Sequence, residues 1–301
     1  VVLPTGQVLE VDRATPIPPD WPAPRWTEPR VKTAAGYAPA DNLLDLFIGQ
    51  EGTLGIITRA TVRLTALPAA VLALMAFFPS RQQAVAFVQA TREAGRASPH
   101  GPVSPRCLEY FDRHCLGLAR DRVGGVPDQA GAALFLEQEV EPAIGEEAHM
   151  EAWYEALVAH GALADDTLMA TDRATHEALL ALRHAVPAGV NERVVANGMP
   201  KVGTDLAVPD EALDLMMKAY EAVPLEHVLF GHIGDNHLHL NMLPTTPAEL
   251  EQAKAVYRVL AEQAVALGGT VSAEHGIGKL KRDYLAHMVG PQVLASFRAL
   301  K

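Results

Sequence analysis

Four of the chain's twelve histidines stand in two short glycine-flanked segments, Gly231-His232-Ile233-Gly234-Asp235-Asn236-His237-Leu238-His239-Leu240-Asn241 and Ala273-Glu274-His275-Gly276-Ile277-Gly278. Imidazole binds metals and moves protons near neutral pH. Glycine lets a loop turn sharply or come close to a ligand. If His237–Leu243 is a strand, side-chain alternation puts His237, His239 and Asn241 on one face and Leu238, Leu240 and Met242 on the other. A hairpin from a preceding strand ending at His232 brings that residue near His239, giving two imidazoles for one metal. A catalytic zinc takes a third protein ligand and keeps an open position. Glu274 is the candidate for that ligand, and the adjacent His275 can serve as a base. Histidines that merely cap turns are the bland alternative, and two coupled clusters weigh against it.

The elements around these segments follow from periodicity and capping. Residues 1–68 read as β and loop, with Pro16, Pro18, Pro19, Pro22, Pro24 and Pro29 excluding regular helix from that stretch. Asp41 to Phe47 reads as helical, Gly49, Gly52 and Gly55 as a glycine turn, and Ile56 to Leu64 as a strand, with a boundary at Pro68. The helix–loop–strand order of that turn is not a Rossmann fingerprint. Strands are then expected at Val71–Phe78, Ala132–Val140, Asp205–Val208, Val228–His232 and His237–Leu243. Helices are expected at Ser80–Ala94 (stopped by Gly95), Glu146–His160, Thr171–His184 and Pro209–Val223. A last helix starts at Thr246-Pro247-Ala248-Glu249, a capping-box start with proline at the first helical position, and stops at Gly268-Gly269. Strands separated by helices over residues 70–245 imply an α+β domain with one layered sheet. Arg183 and Lys201 are candidate anion binders, although either alone fits a solvated surface charge.

Composition sets wider bounds. A chain of 301 residues with 49% hydrophobic content can bury a sizeable core. A net charge of −11 without a basic tract leaves no expectation of a nucleic-acid partner. Cys107 and Cys115 make no disulfide framework, which fits a reducing cytoplasm. No apolar run reaches the ~20 residues needed to span a bilayer. The chain opens at Val1 without a signal peptide, within something resembling a strand, and reads as a piece of a longer protein.

Four ordered stretches carry a family resemblance: Leu46–Thr58 (LFIGQEGTLGIIT), Lys201–Pro209 (KVGTDLAVP), the His232–Asn241 segment, and Gly268–Gly278 (GGTVSAEHGIG). The chain resembles the FAD-linked 2-hydroxy-acid oxidases and dehydrogenases of the vanillyl-alcohol oxidase type. That group includes D-lactate dehydrogenases, glycolate oxidase large subunits and D-2-hydroxyglutarate dehydrogenases. The resemblance implies an α+β architecture: residues 1–68 as the tail of an FAD-binding domain, and 69–270 as a substrate or cap domain with an antiparallel sheet flanked by helices. Residues 271–301 would return to the flavin, and the family's first FAD subdomain would precede Val1. It implies FAD packed against Gly49, Glu51, Gly52, Thr53, Gly55 and Ile56. A divalent metal, zinc foremost, would be held by His232, His239 and Glu274. His275 becomes the catalytic base, and Arg183, Lys201 and Asn241 the contacts to the substrate carboxylate. Two departures stand out: Asn236-His237 occupies a place where the family often has Gly-Asn, so His237 competes as a ligand, and Lys201 lies four residues before Asp205 rather than two.

The activity so implied is oxidation of a small 2-hydroxy acid to the 2-oxo acid with hydride transfer to FAD. An electron-acceptor protein or iron–sulfur subunit and a homodimer are the implied partners. Two other classes stay open at this point: a metal- or hydroxy-acid-binding fragment without flavin, and a zinc hydrolase in which His232, His239 and Glu274 activate water.

Overall fold

The computed structural model describes residues 1–123, 125–170 and 172–301. The chain divides into two compact units. Unit 1 comprises Val1–Thr65, Asp205–Met216 and Arg258–Lys301, and unit 2 comprises Ala66–Thr204 and Met217–Tyr257. The span 69–270 expected as one substrate domain is thus shared out, with Asp205–Met216 and the residues from Arg258 onward clustering with unit 1.

Unit 2 is built on an antiparallel sheet. Its strands are β1 (Val71–Phe78), β2 (Pro105–Asp112), β3 (Ala132–Glu139), β4 (Leu168–Ala170) and β5 (Val202–Gly203), with β7 (His227–His232) and β8 (His237–Met242) following β6 (Leu206–Ala207), which belongs to unit 1. The spatial order is β4-β1-β3-β2-β7-β8-β5. Every ladder along it is antiparallel, with Leu229 opposite Leu240, Phe230 opposite His239, Phe111 opposite Phe230, and Glu109 opposite Phe135.

Period-2 alternation makes this register a map of the two sheet faces. One face carries Met75, Phe77, Phe111, Phe135, Val228 and Phe230. Against it pack Cys115, Leu116 and Ala119 of α3 (Arg113–Val123) and Leu179, Leu182, Val186 and Val190 of α5 (Arg173–Asn197). The other face is covered by α2 (Arg81–Ala97) and α4 (Glu146–Ala159), where Phe78, Phe87 and Trp153 pack in sequence as tilted rings with centroids 5.3 and 6.0 Å apart.

Unit 1 holds α1 (Leu43–Phe47), the two-residue β6 (Leu206–Ala207) and α8 (Arg282–Leu300), which is kinked at Gly290. Its aromatic core places Trp26 and Tyr37 edge-on to Phe297 at 6.2 and 5.3 Å.

The expected elements recur with specific differences. The strand expected over Ile56–Leu64 does not form. Ile56 makes one isolated bridge to Val2, while Val62 and Leu64 are 70% and 85% exposed and among the described residues no ladder holds them. Helix α2 runs past Gly95 to Ala97 from the expected Ser80 cap. The expected strand over Asp205–Val208 shrinks to β6, and the helix expected from Pro209 opens with a 3-10 turn before α6 (Leu213–Glu221).

Thr171, the expected start of a helix, lies outside the described residues. Asp172 caps α5, accepting N–H bonds from Ala174 and Thr175. The helix continues beyond His184 and through Pro187 because Val186, Gly189 and Val190 are buried on its core side. That burial offsets the hydrogen bond that proline removes. The helix expected after Thr246 is α7 (Pro247–Ala266). Strands β2, β4 and β5 and helices α3 and α8 lay outside the sequence expectations.

Candidate metal and substrate site

The hairpin of β7 and β8 gathers the histidines of unit 2. His232 pairs with His237 and Phe230 with His239, so all three imidazoles share the face that carries Asn241. One ligand atom from each of His232, His237 and His239 lies within 4.8 Å of the others. The tight turn between the strands uses Asn236 in the left-handed region (φ 53°), and the buried Arg92 guanidinium donates to Asn236 Oδ1 (2.5 Å) and to the Ile233 carbonyl (3.2 Å). Arg92 therefore fixes the turn that presents the imidazoles.

Two of those rings are held in a defined tautomer. One step beyond the Tyr110–Gly231 pairing of β2 with β7, Glu109 comes opposite His232. The Glu109 carboxylate, whose side chain is 7% exposed, accepts a 2.7 Å hydrogen bond from His232 Nδ1 and a 3.0 Å bond from Arg183 Nη2. Burial alone would push this carboxyl up. The His232 hydrogen bond and charge, with the Arg183 guanidinium, outweigh it and hold Glu109 below the ordinary glutamate value. His239 Nδ1 donates to the Thr204 carbonyl at 3.0 Å. In the neutral form of both rings the lone pair then sits on Nε2, the arrangement by which outer partners prepare histidines for a metal. His237 is fully buried, with its ring 4.4 Å from that of His239.

The expected anion binders lie in the same unit. Arg183, on α5, stands over the Phe135 ring at 5.9 Å, a cation–π contact. Lys201 Nζ donates to Asn241 Oδ1 at 2.7 Å. Although Lys201 as a whole is exposed, desolvation pulls its ammonium below the usual lysine value. Cys107 comes within 3.9 Å of Glu109, and burial, reinforced by the Glu109 charge, pushes its thiol up to about 12, which disfavours the thiolate.

Glu274 and His275 belong to unit 1, on a loop organised by Asp205. That buried carboxylate accepts from Ser272 Oγ (2.7 Å), the Glu274 N–H (3.1 Å), the His275 N–H (3.0 Å) and Lys281 Nζ (2.5 Å). Lys281 also donates to Ser272 Oγ and the Gly276 carbonyl, both at 3.0 Å. The Glu274 carboxylate pairs with Lys32.

The glycine turn meets the end of this loop. Glu51, in the left-handed region, accepts from the Ile277 N–H at 2.7 Å and the Gly278 N–H at 2.8 Å. Gly276 has φ +70°, and a Cβ there would sit 2.7 Å from Glu51 Cδ. Gly49, Glu51 and Thr53 line a cavity of about 460 Å³ together with Ile277, Gly278 and Arg282. Gly52, Gly55 and Ile56 do not line it. Gly55 faces the Val2 backbone, where a Cβ would lie 2.8 Å from Val2 O, and Ile56 bonds to Val2.

Glu109, Thr204, Arg92 and Asp205, which hold the candidate residues in place, were missed from sequence. Asp205 and Thr204 lie inside a stretch already singled out, and Glu109 is a lone acid in an otherwise strand-like Leu108–Phe111 run.

The family model described as FAD linked oxidases, C-terminal domain, matches residues 67–301. The chain is 30% identical over 288 residues to glycolate oxidase subunit GlcD of Bacillus subtilis (strain 168), an alignment covering 90% of this chain and 55% of that protein. It is 31% identical over 276 residues to a probable mitochondrial D-lactate dehydrogenase of Danio rerio, covering 90% and 52%. The chain thus spans about half the length of these curated relatives. Among solved structures, an alkyldihydroxyacetonephosphate synthase superposes with a TM-score of 0.52 at 15% identity, covering 83% of this chain and 48% of that one, which is a likeness of fold.

Proposed function

Since the chain belongs to the FAD linked oxidases through their C-terminal domain, we propose that it serves the flavin-dependent oxidation of a small 2-hydroxy acid, such as D-lactate or glycolate, to the 2-oxo acid. The observation that carries this reading is the pair His232 and His239, each tied at Nδ1 by Glu109 or the Thr204 carbonyl. Two imidazoles held with Nε2 available suit a divalent ion, zinc foremost, with Glu274 as third ligand by the resemblance. The cavity along Gly49, Glu51 and Thr53 has the size of a small-molecule site, which supports flavin contact there. When bound, the ion supplies Lewis-acid polarisation of the hydroxyl oxygen and FAD supplies the hydride acceptor.

The chain's own residues do the remaining work in this proposal. Arg183 uses one of its five N–H groups on Glu109 and has a planar fork for a carboxylate. Lys201 and Asn241, already bonded to each other, add a cation and an amide to the same recognition. Holding the carboxylate at these points orients the substrate's Cα–H, a proximity effect. His275 takes the hydroxyl proton, and the Asp205 carboxylate fixes its backbone.

Residues 1–68 and 271–301 are assigned to the flavin side, and within 69–270 the unit 2 segments, to Thr204 and Met217–Tyr257, to the substrate cap. An electron-acceptor protein or iron–sulfur subunit, a homodimer and a cytoplasmic setting belong to the same proposal. Turnover by the FAD-loaded protein with D-lactate and glycolate, before and after chelation and on restoring Zn²⁺, tests it. Loss on chelation and recovery with the ion are expected, and turnover indifferent to chelation would overturn the metal role.

A further inference from the structure

A second group of nitrogen and oxygen donors lies elsewhere in unit 2, around the start of α3. Asp112 ends β2, His114 occupies the first turn of α3, and His227 begins β7. Continuing the register of Tyr110 with Gly231 sets Asp112 opposite Leu229. His227 is two residues from Leu229, so Asp112 and His227 are diagonal neighbours on one sheet face, the face opposite His232 and His239. One ligand atom from each of Asp112, His114 and His227 lies within 4.8 Å of the other two, and the two imidazoles meet at 5.4 Å between centroids.

The three groups are prepared in different ways. His227 Nδ1 donates to the Leu225 carbonyl at 2.7 Å, so its lone pair lies on Nε2. Asp112 Oδ1 accepts the Cys115 N–H at 2.8 Å, which caps α3 and fixes the carboxylate at the helix start. His114 is exposed, so the group opens to solvent. The Asp112 carboxylate is buried, and a buried carboxylate is costly unless a positive charge compensates it.

We propose that Asp112, His114 and His227 form a second divalent-cation site, distinct from the His232–His239 pair. Two imidazoles and one carboxylate are a borderline donor set, suited to Zn²⁺, Ni²⁺ or Co²⁺ and poorly suited to Ca²⁺ or Mg²⁺. With one exposed ligand and water completing the shell, the ion exchanges with solvent. The site contributes nothing to the proposed oxidation and stands or falls independently of it.

The test counts Zn²⁺ bound by the tag-free full chain, using native mass spectrometry and titration. His114→Ala and His227→Ala should each lose one equivalent relative to wild type, and Arg113→Ala, on the neighbouring exposed position, should lose none. In Co²⁺-loaded protein the two histidine variants should lose a set of visible absorption bands that His239→Ala keeps. His114 is exposed, so its removal leaves the fold intact, as circular dichroism will verify. Unchanged stoichiometry in His114→Ala, or a loss shared equally by Arg113→Ala, overturns the site.

Discussion

Glu109→Gln is the sharpest perturbation of the histidine site, because it keeps the shape of the side chain and removes only its charge. The carboxylate receives two hydrogen bonds, from His232 at 2.7 Å and from Arg183 at 3.0 Å. A hydrogen bond to a charged group contributes ~1.5–3 kcal/mol, and a neutral one ~0.5–1.5. The glutamine oxygen can still accept, so each bond weakens by about 1–1.5 kcal/mol and the pair by about 2–3. The part acting through His232 lowers the basicity of Nε2 and releases the ring orientation. Loss of such an outer partner costs ~10–100-fold in metal affinity, or about 1.4–2.8 kcal/mol, and the roughly 1–1.5 kcal/mol of the His232 bond places this variant at the lower end. Competition against a chelating indicator at fixed pH measures it, with the melting temperature of the metal-free protein reporting any change of fold. Zn²⁺ affinity within threefold of wild type, in a variant that melts normally, would refute the role given to Glu109.

Three further outcomes follow from the same structure. Asp205→Asn leaves the Lys281 ammonium, 13% exposed, without its charge partner; a broken buried pair costs ~3–5 kcal/mol, so calorimetry should show a melting temperature lower by roughly 6 °C or more, and an unchanged one would contradict the anchoring role. Gly276→Ala forces a side chain into the left-handed region against Glu51, costing ~1–2 kcal/mol or more in urea unfolding, and a loss under about 0.5 kcal/mol would count against the Glu51 contact. Lys201 has its pKa lowered by desolvation, so carboxylate binding should fall as pH rises through a value below 10.5; in Lys201→Arg the guanidinium stays charged and the KM limb should move to higher pH, while coincident limbs would remove Lys201 from substrate binding.

The β7–β8 hairpin was legible because its signals are local. Alternation of His237, Leu238, His239, Leu240 and Asn241, with a Gly-Asp-Asn turn before it, specifies both strand and face. The helix starts at Ser80 and Thr246 were legible for the same reason. What escaped depends on distant partners. Strand β2 carries Arg106 and Glu109, which break an apolar pattern, and its place between β3 and β7 is set by pairing across the chain. Glu109 is buried there only because His232 and Arg183 compensate it, and both are more than seventy residues away. Helix α5 passes Pro187 because its far end has core to cover. The expected strand after Ile56 had the right residues, and among the described residues no strand pairs with it beyond the Ile56–Val2 bridge.

The central claim, that the chain serves flavin-dependent oxidation of 2-hydroxy acids, is tested most directly by anaerobic titration of the FAD-loaded, Zn²⁺-loaded protein with D-lactate, glycolate and D-2-hydroxyglutarate. Bleaching of the flavin's visible absorbance by at least one of them is expected, with the matching 2-oxo acid formed in equal amount, and much slower bleaching in His275→Asn. A flavin that stays fully oxidised with all three acids would contradict it.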